Sequence, residues 1–238
     1  MSELEAFDYG HDGLRLSGRI ARPDGPGPHP AILVMHSALG PDRQTGQRAL
    51  DLARLGYVAL AMDMYGQGPA RPELDYMPFF QRFQEEPDLL RGRILAGYAA
   101  LRALPEVDAG RIGAIGYCFG GQCVLELARS GADVRSVVSF HGLLRTGRLA
   151  VAGEVKARML VITGAKDPFV PLGDIASFQE EMDAAGADWQ VTTYGEGYHS
   201  FTAPDVAELN IAGTRYDPLL DRLSWAQATA FLEATLEA

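Results

Sequence analysis

Cysteine is scarce in this chain. Only Cys118 and Cys123 occur among 238 residues, too few for a disulfide framework. They stand five positions apart on one turn-and-helix segment, where side chains point different ways and a bridge between them is not expected. Also lacking is a basic, apolar-cored start: the chain opens Met-Ser-Glu-Leu-Glu, and no apolar run approaches membrane-spanning length. The expectation is a soluble, cytoplasmic protein of a reducing compartment with no membrane partner. Basic clusters are missing as well. The balance of 21 basic against 31 acidic residues leaves a formal charge of −10, which excludes nucleic acid as a partner and favours solubility. No Gly/Ser linker or break in composition divides the chain. With 47 % hydrophobic residues it is expected to fold as one domain over residues 1–238.

What is present is an alternation of strand and helix patterns. Leu4 to Tyr9 and Leu14 to Ala21 flank the turn Gly10-His11-Asp12-Gly13 and read as an antiparallel pair. Arg22 to Pro30, with four prolines and two glycines, is a loop. Ala31 to Met35 is continuously apolar, as a strand buried on both faces must be. Thr45 to Leu55 has helical spacing and stops at Gly56. Tyr57 to Met62 is a second buried strand. Pro69 to Glu86 carries prolines and the aromatics Tyr76, Phe79, Phe80 and Phe83; with its flanks, about 66–90, it is expected to be loop material forming a lid or pocket wall. A helix capped by Asp88 should run to Leu104. Further strands are expected over Ile112–Tyr117, Val134–Phe140, Met159–Thr163 and Trp189–Tyr194. Helices are expected over Gln122–Arg129, Ile175–Ala185 and Leu219–Leu236. The fold class is α/β, a mostly parallel central sheet with helices on both faces.

The chain is organised around Gly116-Tyr117-Cys118-Phe119-Gly120-Gly121. A strand enters this turn and a helix leaves it, and a turn so tight needs glycines beside an apical side chain that projects from the sheet edge. Cys118 holds the apex. The bland alternative is a small buried cysteine in a Gly-rich turn. Against it stand two further residues at strand ends, where reactive groups gather in such sheets. Asp167 follows the next-to-last strand and His199 follows the last. Nucleophile, acid and histidine in that order make a catalytic triad. The thiolate attacks, His199 moves its proton, and Asp167 fixes the imidazole tautomer. The dipole at a helix N-terminus further favours the thiolate.

These stretches, with Asp63-Met64-Tyr65-Gly66, Gly164-Ala165-Lys166-Asp167-Pro168-Phe169-Val170-Pro171 and Tyr198-His199-Ser200-Phe201, resemble the dienelactone hydrolase family of α/β-hydrolases over roughly residues 30–203. The resemblance implies an α/β-hydrolase fold, a Cys-His-Asp triad, and an oxyanion hole from the N–H groups of Phe119 and Ala38. It implies no metal and no organic cofactor. Two departures stand out. The family's His-Glu pair, whose carboxylate helps form the thiolate, is His36-Ser37 here, so activation falls more heavily on His199. An arginine that binds the substrate carboxylate follows His-Ser-Phe in the dienelactone enzyme; here Thr202-Ala203 follows. Arg82 and Arg71 are alternative cations, each weighed against a solvated surface role. Dienelactone itself is therefore not the expected substrate.

The expected activity is hydrolysis of a small ester, lactone or thioester through an acyl-enzyme. The alternatives are acyl transfer or thioester hydrolysis on the same residues, or a non-catalytic module that binds ligand or senses redox state through Cys118. Tyr65, Phe79, Phe80, Phe169, Tyr198 and Phe201 are candidates for the pocket wall, joined by His36, Ser37 and Arg82; His141, at another strand end, is a further candidate. The partner is a small molecule. Monomer is the default, with a dimer admissible.

Overall fold

The computed structural model describes residues 3–68 and 74–237. Among these residues eight strands form one sheet in the order β1-β2-β4-β3-β5-β6-β7-β8. β1 (Glu5–His11) and β2 (Leu14–Ala21) are the antiparallel pair, and β2 joins β4 (Val58–Ala61) antiparallel. From β4 onward the neighbours are parallel: β3 (His29–Met35), β5 (Val107–Tyr117), β6 (Ser136–Phe140), β7 (Arg158–Gly164) and β8 (Trp189–Tyr194). The apolar runs are buried on both faces because side chains alternate across a strand. In β3, Ala31, Leu33 and Met35 enter one core cluster and Ile32 and Val34 the other.

Helices cover both faces. On one lie α1 (Arg43–Arg54) and α6 (Pro218–Leu236), whose Leu52 and Leu232 meet Val34, Ile115 and Leu160. On the other lie α3 (Pro87–Arg102), α4 (Phe119–Arg129) and α5 (Leu172–Ala185), with Leu101, Val124 and Phe178 in the same cluster as Leu33 and Val161. A buried ion-pair network joins these three helices. Arg129, fully buried, pairs with Glu126 at 3.0 Å and Glu181 at 2.8 Å, and Arg91 reaches Glu126 at 2.8 Å.

Three sequence expectations change. The aromatic segment is not all loop: α2 spans Met77–Glu85. Proline at the start of a helix loses no hydrogen bond, and Phe79, Phe80 and Phe83 then share one side, as residues three and four apart do. Asp88 does not cap α3; the cap position is Glu86, and Asp88 lies in the first turn. β5 begins at Val107, before the expected Ile112, because Val107 pairs with His29. Residues 69–73 of the expected lid, Arg71 among them, lie outside the described residues.

Candidate active site

The elbow between β5 and α4 sets the geometry. Cys118 has φ 56° and ψ −116°, a conformation that non-glycine residues rarely hold and that tends to persist at functional sites. Its backbone N–H bonds the Phe140 carbonyl at 3.0 Å, tying the apex to β6. The flanking glycines leave no room for a side chain. A Cβ on Gly116 would lie 2.0 Å from the Gly120 carbonyl oxygen, and one on Gly120 would lie 2.2 Å from that of Met35.

The loop after β7 presents Asp167 and the loop after β8 presents His199. His199 Nδ1 donates to Asp167 Oδ2 at 2.7 Å, and Asp167 Oδ1 accepts the Phe169 N–H at 2.8 Å. Both side chains are buried. With Nδ1 committed to Asp167, Nε2 is the ring nitrogen left for the thiol. Burial pushes the Cys118 thiol up, but His199 beside it and the N–H groups of Ala38 and Phe119 more than reverse this, so its pKa lies below the ordinary value. His199 is displaced the other way: burial lowers it, and Cys118 and Asp167 together raise it well above 6.5. Cys123, fully buried beside Glu126, is raised well above the usual thiol value.

The loop after β3 carries Ala38, and its shape has visible causes. His36 is buried, donates from Nδ1 to the Ser37 carbonyl at 2.7 Å, and accepts the Met64 N–H on Nε2 at 3.1 Å. It braces two strand-end loops and lies off the cavity wall. Burial lowers its pKa, which keeps the ring neutral for both bonds. Asp63, also buried, accepts four backbone N–H groups, from Ser17, Tyr65, Gly66 and Gly68. That turn aims Tyr65, whose hydroxyl donates to the Ala38 carbonyl at 3.0 Å.

Beside Cys118 and His199 opens a mostly apolar cavity of about 310 Å³, within the usual range for a small-molecule site. Of the sequence candidates, Ser37, Phe80, Phe169 and His141 line it. Tyr65 and Phe79 do not. They stack on each other, and Tyr65 also stacks on Phe119, forming a support layer behind the elbow. Phe201 is buried behind His141, and Tyr198 packs under Arg215. Arg82 is exposed and pairs with Glu86 at 2.9 Å. The Ser37 hydroxyl accepts the Leu39 N–H at 3.2 Å and, having no carboxylate, gives the thiol no base. Thr202 turns inward, its hydroxyl bonded to Gln44 at 3.0 Å and His141 at 2.9 Å.

Sequence reasoning missed Leu39, Asp42, Met77, Leu209 and Ile211 on this wall. Asp42 had a signal, since Asp-x-x-Thr before a helical pattern is a capping pattern, and its carboxylate does accept the Thr45 N–H at 2.7 Å. Leu209 and Ile211 had none, because their 3-10 turn (Pro204–Leu209) and the segment after it return to the site from beyond the last strand.

Comparison with known proteins agrees with this architecture. The model of the Dienelactone hydrolase family matches residues 16–236. A Bradyrhizobium protein named probable 2-oxo-3-(5-oxofuran-2-ylidene)propanoate lactonase is 30 % identical over 83 % of this chain and 84 % of its own. The carboxymethylenebutenolidase of Pseudomonas putida is 28 % identical over 83 % and 84 %. Among solved structures, a dienelactone hydrolase-like promiscuous phosphotriesterase from metagenomic libraries superposes with a TM-score of 0.94 at 33 % identity, covering 98 % of each chain. The chain belongs to the dienelactone hydrolase family and is a hydrolase of ester or lactone bonds.

Proposed function

We propose that the chain cleaves a small carboxylic ester or lactone through an acyl-enzyme on Cys118, with His199 as acid and base, Asp167 as its orienting carboxylate, and the Phe119 and Ala38 N–H groups as the oxyanion hole. The observation that carries this reading is the 2.7 Å bond from His199 to Asp167 beside a thiol whose pKa is depressed by His199 and by those same two N–H groups.

The steps follow from the charges. The Cys118 thiolate attacks the acyl carbon, and the carbonyl oxygen takes the electron pair between the Phe119 and Ala38 donors. Collapse breaks the acyl–oxygen bond, and His199 gives its proton to the departing alkoxide. Water then attacks the thioester, losing its proton to His199, and the carboxylic acid leaves as the thiolate reforms. One water is consumed, and His199 ends as it began. With Ser37 in place of a carboxylate, His199 is the side chain that stabilises the thiolate, helped by the Ala38 and Phe119 N–H groups. Preorganised donors of this kind contribute roughly 2.7–4 kcal/mol each to the transition state.

A second reading draws on the solved relative, whose name describes a promiscuous phosphotriesterase. The same thiolate attacks phosphorus in a neutral triester, with the phosphoryl oxygen in the oxyanion position. One P–O bond breaks as His199 protonates the departing aryloxide or alkoxide. Water, giving a proton to His199, then cleaves the S–P bond to release the phosphodiester and reform the thiolate. Single-domain organisation, a cytoplasmic setting and a monomeric state belong to the same proposal.

The deciding experiment is hydrolysis of p-nitrophenyl acetate and a simple lactone, with mass spectrometry of the quenched enzyme. The expected result is turnover with an acetyl adduct on Cys118, and loss of at least about 10⁴-fold in kcat for Cys118→Ala. Undiminished turnover by Cys118→Ala overturns the reading. Paraoxon beside the ester panel tests the second one.

A further inference from the structure

Five large apolar side chains stand open around one cavity. Leu39, Met77, Phe169, Leu209 and Ile211 are each between 39 % and 47 % exposed, and all five line the cavity at Cys118. Isolated exposed leucines need no explanation, but a contiguous apolar patch around a pocket marks a surface that binds something. The side chains come from four places in the chain: the loop after β3, α2, the loop after β7, and the 3-10 turn with the segment that follows it. Phe169 makes the path continuous, since its ring lies edge-on to His199 at 4.9 Å between centroids.

The charged side chains on the same wall include two carboxylates. Asp42 and Asp205 both line the cavity, against Arg43 as the one lysine or arginine among its described residues. Asp205 is close enough to add to the upward pressure that burial puts on Asp42. Thr202, next after His199-Ser200-Phe201, is bonded inward to Gln44 and His141. A substrate carboxylate here loses its hydration and meets Asp42 and Asp205 with Arg43 as the one guanidinium. The positive charge of His199 is already paired with Asp167 and Cys118.

Resting on the acyl-enzyme reading above, we infer that the substrate is a neutral ester with an extended apolar arm that lies along Phe169, Leu209 and Ile211. The site selects against an arm that ends in a carboxylate. Asp205 acts as the excluding charge, and the open rim supplies the attraction. Each buried methylene contributes about fourfold to kcat/KM.

The test compares p-nitrophenyl acetate, p-nitrophenyl hexanoate and the p-nitrophenyl half ester of adipate, whose arm matches hexanoate but ends in a carboxylate. Hexanoate is expected to exceed both by at least about tenfold in kcat/KM. The Leu209→Ser/Ile211→Ser double variant lowers the hexanoate-to-acetate ratio, and Asp205→Lys narrows the hexanoate-to-adipate ratio. Equal rates for the three esters, or adipate ahead because Arg43 recruits it, overturn the inference while Cys118-dependent turnover still stands. If none of the three is hydrolysed, the acyl-enzyme reading fails. The arm preference is then read from alkylation of Cys118 by N-hexylmaleimide against maleimidohexanoate, with the apolar reagent expected at least about tenfold faster. Equal or reversed labelling overturns it.

Discussion

The Tyr65 hydroxyl donates to the Ala38 carbonyl at 3.0 Å, and through that bond a motif far from the elbow in sequence fixes the loop whose Ala38 N–H faces Cys118. Asp63, gathering four backbone N–H groups, sets the turn that aims Tyr65. Donors to a developing oxyanion act only if held in place before the reaction. On the proposed acyl-enzyme reading, Asp63-Met64-Tyr65-Gly66 serves the site by positioning it. Removing the hydroxyl in Tyr65→Phe keeps the aromatic stack and releases the loop. The expected outcome is a fall in kcat of about 10- to 10²-fold with KM little changed, measured by steady-state kinetics on an ester that the wild type turns over.

The thiol should report its surroundings directly. Because the Cys118 pKa lies below 9.0, its thiolate persists to lower pH than that of a free cysteine. Iodoacetamide labelling at Cys118 should therefore rise with pH through a midpoint below that of free thiols. Cys123, raised well above 9.0, stays unlabelled through the same range. In His199→Gln the depressing charge is gone while burial still opposes the thiolate, so the midpoint moves up. A midpoint unmoved by that substitution would mean His199 does not activate the thiol.

Ser37→Glu replaces a hydroxyl occupied by the Leu39 N–H with a carboxylate of the kind the family places against the thiol. The added negative charge opposes thiolate formation electrostatically but supplies a base for its proton. The expected outcome is a measurable change in the pH–rate profile together with higher turnover at neutral pH. Parallel profiles for the two proteins would show that position 37 does not reach the thiol.

Gly120 lies under the end of β3. Adding a methyl in Gly120→Ala sets it 2.2 Å from the Met35 carbonyl oxygen and 2.8 Å from that of His36, both backbone atoms that cannot swing aside. Destabilisation at or above the upper end of about 1–3 kcal/mol is expected, with activity lost because the Ala38 loop must shift. Urea denaturation and ester turnover read the two effects separately.

Arg129 tests the frame behind the elbow. Truncation in Arg129→Ala leaves the buried Glu126 and Glu181 short of their shared cation. A loss of about 3–5 kcal/mol is expected, visible as a lower denaturant midpoint. A double change that replaces the pair by apolar residues of similar volume should recover much of it.

The strands, most of the helices and the chain order of Cys118, Asp167 and His199 were legible without coordinates. Each depends on local signals: continuous apolar runs, glycines that a tight turn requires, and single residues placed just past a strand end. The dienelactone hydrolase resemblance was legible for the same reason. What the aromatics do was not. Tyr65 and Phe79 read alike as pocket wall and lie in a support layer, whereas Phe80, next in sequence, lines the cavity. Which side of α2 faces the opening depends on how that helix docks, and no local pattern encodes docking. Leu209 and Ile211 reach the rim through a return of the chain after the last strand, and Asp42 and Asp205 share a wall although 163 positions separate them. The placement of Cys118, Asp167 and His199 is thus written in short motifs, because a turn and two strand ends suffice to specify it. The shape and charge of the space around it were decided by packing between distant segments, which only the tertiary structure brings together.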